Sequence, residues 1–130
     1  MSDFAKSLAV TASGLRAQAM RLRLLSENIA NADTPGYRRK TASFEAVRDR
    51  DAGVETVTTG RVRLDRKPLA RLFEPGHPLA DDSGHVTGSN VDLLIEIADA
   101  REAQRSYEAN LKMFEQAKTM SRGLLDLLRR

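Results

Sequence analysis

Eight positions near the start of the chain, Phe4, Leu8, Thr11, Leu15, Gln18, Leu22, Leu25 and Ile29, keep an unbroken 4-3 spacing, and six of the eight are apolar. That spacing makes the narrow seam of a coiled coil, not the broad face of a helix lying on a globular core. Ala5, Ala9, Ala12, Ala17 and Ala19 flank the seam, which raises helix propensity and lets a second helix come close. Ser2 or Asp3 can cap the start, Asn31 can end the helix in left-handed geometry, and Pro35-Gly36 forbids continuation. The pattern predicts one helix within residues 1–32, about 28 residues and ~42 Å long at ~1.5 Å per residue.

A second helix is predicted over residues 90–130. Asn90 can cap it, Asp92 and Glu96 suit its positive end, and Arg122, Arg129 and Arg130 suit its negative end. Its apolar stripe runs through Ile95, Ala98, Tyr107, Leu111, Phe114, Ala117, Leu124 and Leu128. Between the helices, residues 33–89 read differently. Glu55–Thr58 and Arg61–Asp65 alternate with period two, and Thr59-Gly60 can join them as a tight hairpin. Pro68, Pro75, Pro78 and Asp81-Asp82-Ser83-Gly84 mark loop. The fold expected is mainly α: one rod-type domain of two long terminal helices packed as an antiparallel coiled-coil-like pair, with a short β-hairpin and irregular insert.

Composition narrows the function. The chain has 130 residues, 5% aromatics, no tryptophan and no cysteine, which suits an extended helical pair and removes thiol chemistry, disulfides and cysteine zinc sites. No run approaches the ~18 apolar residues of a membrane span, and no apolar stretch with a cleavage site marks a secretory signal. Between Arg38 and Arg71, ten basic residues face five acidic ones, a local +5 against +3 for the whole chain. Without interleaved aromatics or a nucleic-acid module, this basic insert reads as a solvated or subunit-contacting surface. His77, His85, Asp81 and Asp82 lack the spacing of a metal site. No nucleophile elbow, P-loop or dinucleotide fingerprint is present, so neither an enzyme nor a cofactor or small-molecule binder is expected.

The segment that ends the first helix carries a resemblance. Gly14, Leu15 and Leu22, followed by Asn28-Ile29-Ala30-Asn31 and then Thr34-Pro35-Gly36-Tyr37, are similar to the N-terminal motif shared by bacterial flagellar rod and hook proteins. Ser106-Tyr107-Glu108-Ala109-Asn110 resembles the Ser-Tyr-x-Ala-Asn motif of that family's C-terminal helix. The short chain, the Glu74-Pro75-Gly76-His77-Pro78 turn, and Gly84-His85-Val86 leading to Asn90-Val91-Asp92 resemble one of two sister proximal-rod proteins. His85 stands where that pattern has tyrosine, and Gly88-Ser89 where it has Met-Pro or a similar pair.

The resemblance implies a structural subunit of the flagellar basal body. Its partners would be copies of itself, other rod proteins, the export apparatus and the membrane-ring base of the motor. It would leave the cell by the flagellar type III route with no cleaved signal peptide and assemble in the periplasm. Phe4, Leu8, Leu15, Leu22, Leu25, Ile29, Tyr107, Leu111, Phe114, Leu124 and Leu128 are the expected packing and assembly residues. The alternatives are the sister proximal-rod protein and, from another class, a helical adaptor or basic nucleic-acid-binding protein.

Overall fold

The computed structural model describes residues 2–129. Two helices dominate: α1, Asp3–Ala30, and α2, Leu93–Leu128. Met1 and Arg130, which the expected helix boundaries included, lie outside the described residues. Ser2 caps α1, its hydroxyl accepting a bond from the Ala5 amide at 3.2 Å. Asn31 ends α1 at φ −107° and ψ 16°, so the expected left-handed cap is not formed. Its side-chain amide instead donates at 2.8 Å to the Glu27 carbonyl, which also accepts the Asn31 backbone amide at 3.1 Å.

The second helix also starts differently from expectation. Asp92, not Asn90, is its cap, and accepts bonds from the amides of Leu94 and Ile95. Asn90 is drawn away into the contact with the insert described below. Paired residues descend along α2 as they ascend along α1. Asn28 meets Glu96, Arg21 lies 3.8 Å from Glu102, and Gly14 abuts Asn110. A Cβ on Gly14 would sit 3.2 Å from the Asn110 amide nitrogen, so the missing side chain sets the closeness of the helices there.

The inward stripe of α2 mixes small and polar residues with the aromatics Tyr107 and Phe114. Glu96, Ala100, Ala103, Tyr107, Asn110, Phe114, Ala117 and Ser121 keep a 4-3 spacing, and each is buried or half-buried. Small side chains at such positions allow close backbone approach. Many large apolar residues of α2 are turned outward: Leu93, Leu94, Ile95, Met113, Met120 and Leu124 are exposed, whereas Ile97, Leu111 and Phe114 are half-buried.

The insert holds three two-stranded antiparallel pairs. The strands are β1 (Lys40–Thr41), β2 (Phe44–Asp49), β3 (Val54–Thr59), β4 (Arg63–Leu64), β5 (Arg71–Phe73) and β6 (His85–Thr87). The expected hairpin across Thr59-Gly60 is not formed. Residues 54–59 pair back onto 44–49, in the register Phe44↔Thr59 to Asp49↔Val54, and β4 pairs with β1. The real turn is at 50–53, where the Asp49 carboxylate accepts from the amides of Asp51 and Ala52 and Gly53 takes φ +69°. Aspartate and glycine at those places close the loop more cheaply than Thr-Gly could. The β5–β6 pair lies in a stretch expected to be loop. β3 lies along α1, and the Ser13 hydroxyl accepts the Val57 amide at 3.1 Å while donating to the Val10 carbonyl.

Two outcomes follow. Gly36 holds φ +76° with open space where a Cβ would stand, so Gly36→Ala should cost about 1 kcal/mol of stability by backbone strain alone, read by urea unfolding. In the β5–β6 loop, Asp81 accepts from the Ser83 hydroxyl, the His85 amide and the Ser83 amide, with Arg71 at 2.7 Å. These contacts hold its pKa down to about 2 from 3.8. A depressed acid stabilises the fold above its unfolded pKa and loses that contribution as pH falls through the folded one. The loop should therefore stay ordered at pH 4 and loosen as pH drops through about 2, visible in the amide shifts of Ser83 and His85. Asp81→Ala should remove that transition.

Candidate assembly site: the neck between the helices and the insert

The Asn-Ile-Ala-Asn-x-x-Thr-Pro-Gly-Tyr segment folds around one amide. Asn28 is fully buried at the last turn of α1. Its nitrogen donates to the Lys40 carbonyl at 2.9 Å and to the Glu96 carboxylate at 3.2 Å. Its oxygen accepts from the Lys40 amide at 2.9 Å and the Tyr37 hydroxyl at 2.8 Å. All four hydrogen-bonding positions of the carboxamide are used. Toward β1 it behaves as a peptide group would, closing the outer edge of the strand at Lys40. Asn31 shapes the chain that brings Lys40 there: its carbonyl accepts the Thr34 amide and its side-chain oxygen the Thr34 hydroxyl. The Thr34 carbonyl then accepts the Tyr37 amide at 3.1 Å. Gly36 supplies the positive φ and donates its amide to the carbonyls of Thr87 and Gly88.

The other side of the neck is ionic. Glu96, on the first turn of α2, is fully buried and bonded to the Arg39 guanidinium as well as to Asn28. Arg39 also reaches Asp65 at 3.5 Å and Asp99 at 3.9 Å. Burial alone would lower the Arg39 pKa. The hydrogen bond and charge of Glu96, with the charge of Asp65, outweigh it and hold the guanidinium above its usual value. Asp65 is held below the usual carboxylate range by the Lys67 amide first, then by the charges of Lys67 and Arg39. Burial pushes the Tyr37 hydroxyl up, aided by Glu27 and Glu96 and opposed by Lys40. Asn90 completes the joint, accepting the Arg39 amide at 2.7 Å and donating to the carbonyls of Asp65 and Lys67. Ser89 donates its hydroxyl to the Ala32 carbonyl.

This arrangement joins three stretches distant in sequence, residues 28–40, 65–67 and 86–99. Its polar groups satisfy one another. Among the described residues no three His, Cys, Asp or Glu side chains are grouped to hold a metal. His77 accepts the Leu79 amide, and His85 sets its ring against Phe73, 5.3 Å between centroids. No described helix is long and apolar enough to cross a membrane.

The expected packing residues fall into two groups. Leu25 is buried, and Phe4, Leu8, Leu15, Leu22, Ile29, Tyr107, Leu111 and Phe114 are half-buried. Leu124 and Leu128 are exposed on the last turns of α2, which project past the start of α1. Leu24, outside the expected seam, is buried facing the insert. Sequence reasoning gave the neck motif but not its partners. Arg39, Asp65 and Glu96 look like ordinary surface charges in a basic, helix-rich chain, and only Glu96 offers a signal, as a charge on the 4-3 spacing of Ala103, Asn110 and Ala117.

Removing one partner of a buried ion pair leaves the other charge uncompensated. Arg39→Met should therefore cost about 3 kcal/mol, and Arg39→Met with Glu96→Leu should cost less than Arg39→Met alone. Urea unfolding of the single and double variants checks it, and a double variant as unstable as the sum of both singles would contradict it.

Comparisons with known proteins meet this geometry at both ends. Residues 1–38 match the family described as flagella basal body rod protein, and residues 82–127 match the flagellar basal body rod FlgEFG protein C-terminal family. Both matches take in residues of the neck. A relative from Agrobacterium fabrum, "Flagellar basal-body rod protein FlgC", is 43% identical over 99% of this chain and 98% of its own length. The protein of that name from Escherichia coli is 34% identical, and that from Aquifex aeolicus 32%, each over 91% of this chain and 92% of the relative. Of the two sister proximal-rod types, the relatives favour one: the chain belongs to the FlgC family of flagellar basal-body rod proteins.

Proposed function

We propose that this protein is a structural, non-catalytic subunit of the proximal flagellar rod. It assembles with copies of itself and other rod proteins into the tube that transmits torque and surrounds the export channel. The observation that carries the reading is the contrast between a saturated neck and an unsatisfied helix surface. Within one chain the neck polar groups are paired, whereas Leu94, Leu127 and Leu128 are 81%, 65% and 75% exposed. A single chain gains nothing from such residues on a long helix; an assembly covers them.

The two helices act as an antiparallel, coiled-coil-like pair. Phe4, Leu8, Leu15, Leu22, Leu25 and Ile29 of α1, with Tyr107, Leu111 and Phe114 of α2, hold the pair and present its flanks. Leu124 and Leu128 pack on neighbouring subunits. Contacts between different patches on successive subunits do not close, and so build a helical tube. The turn motif Asn28–Asn31 with Thr34–Tyr37 fixes how the insert leaves the tube wall. Export through the flagellar type III apparatus, a site in the periplasm and docking toward the membrane-ring base of the motor complete the proposal. The family membership supports the basal-body setting of each.

Assembly tests it directly. Leu22→Asp or Leu111→Asp should abolish swimming in a strain lacking its own copy, with basal bodies that stop short of the distal rod in micrographs and with the protein still expressed. Normal swimming in both variants would count against the packing role.

A further inference from the structure

The β1–β4 pair has one closed edge and one open edge. Lys40 turns its amide and carbonyl to Asn28, which covers the outer side of β1. On the other side, Arg63 and Asp65 face β1, with the Asp65 amide on the Arg39 carbonyl at 2.7 Å. Alternation along an antiparallel strand then turns the backbone groups of Val62 and Leu64 away from β1. β1 is the only neighbour of β4 among the described strands.

The side chains around this edge are one-sided in charge. Arg38, Arg61, Val62, Arg63, Leu64 and Arg66 line an open groove. The one acid in the run, Asp65, is turned inward to Arg39 and the Lys67 amide. Arg61, Arg63 and Arg66 are exposed, and among the described residues none of them forms an ion pair. Val62 is 43% and Leu64 56% exposed. The alternation gives the strand one face carrying Arg61 and Arg63 and another carrying Val62 and Leu64.

We propose that the β4 edge, residues 61–66, receives an acidic, extended segment of a second kind of polypeptide as an added strand. Its backbone pairs with Val62 and Leu64. Carboxylates at every second position meet Arg61 and Arg63, and the apolar residues between them cover Val62 and Leu64. The charge also says what does not bind. The same strand of another copy would set arginine against arginine, a repulsion that guards exposed edges from self-pairing. Nor does this chain offer a suitable segment elsewhere: Asp49 and Asp51 are spaced correctly, but Asp49 is committed to its own turn and Arg50 lies between them.

The test uses the full chain and a fluorescent synthetic peptide alternating glutamate and valine, followed by anisotropy at about 0.15 M salt, where longer-range attraction is screened. The peptide should bind, and Arg61→Glu with Arg63→Glu should weaken it about tenfold or more, while Arg48→Glu on the neighbouring hairpin leaves it unchanged. N-methylating the peptide's edge-facing amides keeps its charge and removes its donors, and should also weaken binding about tenfold. Equal binding by the methylated peptide, or by an oligonucleotide of equal charge, would overturn strand addition in favour of a diffuse anion surface. Failure of the glutamate-valine peptide to bind would overturn the proposal outright. Unchanged thermal unfolding of the variants ties any loss to the edge and not to the fold.

Discussion

The Asn28 carboxamide is the joint on which the molecule turns. It sits at the end of α1 and bonds to the following turn through Tyr37, to β1 through Lys40 and to α2 through Glu96. A buried amide left partly unsatisfied would cost about 1–3 kcal/mol. The cluster therefore forms complete or is a liability, and completing it requires the helix end, the turn and the returning chain to arrive together. Glu96 and Arg39 extend the same demand to charge. Their burial adds little stability compared with an apolar pair, but it makes wrong alignments of α2 against α1 expensive.

That penalty matters because the rest of the helix contact is permissive. The inward stripe of α2 repeats small residues at heptad spacing, and Ala100, Ala103 and Ala117 would accept several alignments almost equally well. Register comes from the end that holds Asn28, Arg39 and Glu96, and close approach comes from positions such as Gly14 against Asn110. One end of the pair is thus specified by polar chemistry, while the other leaves Met113, Met120, Leu124, Leu125, Leu127 and Leu128 exposed among charged residues. A rod subunit has use for both: a fixed elbow from which the insert projects, and a helical surface that neighbours can cover.

The insert is less a domain than three short strand pairs hung on the neck. β3 is fastened to α1 through Ser13, β1 is closed by Asn28, and β6 returns the chain beneath Gly36. Its basic charge is unevenly spent. Arg39, Lys40 and Arg71 are paired with Glu96, Glu27 and Asp81 respectively, whereas the arginines of 61–66 face solvent.

Sequence alone determined the two helices, the stop at Pro35-Gly36 and the family, because helix periodicity, capping and the motif are local and repeat along the chain. It also marked the strand-like character of 55–65, since alternation is local too. What it did not determine were the pairings. Residues 54–59 chose 44–49 because the Asp49 and Gly53 turn closes at lower cost than Thr59-Gly60, a comparison between partners that a single segment cannot express. The expected α2 stripe matched the structure only in its middle, where Tyr107, Leu111, Phe114 and Ala117 are buried or half-buried. Ile95, Ala98, Leu124 and Leu128 are exposed and Glu96, Ala103 and Asn110 turn inward, because outward leucines dominate a hydrophobic pattern. Glu96 and Arg39 were invisible as a pair because charged residues are ordinarily solvated, and only the tertiary structure buries Glu96 beside Asn28 with Arg39 half-buried against it. Burial of charge depends on what arrives from fifty or more residues away, and so it was decided by the fold.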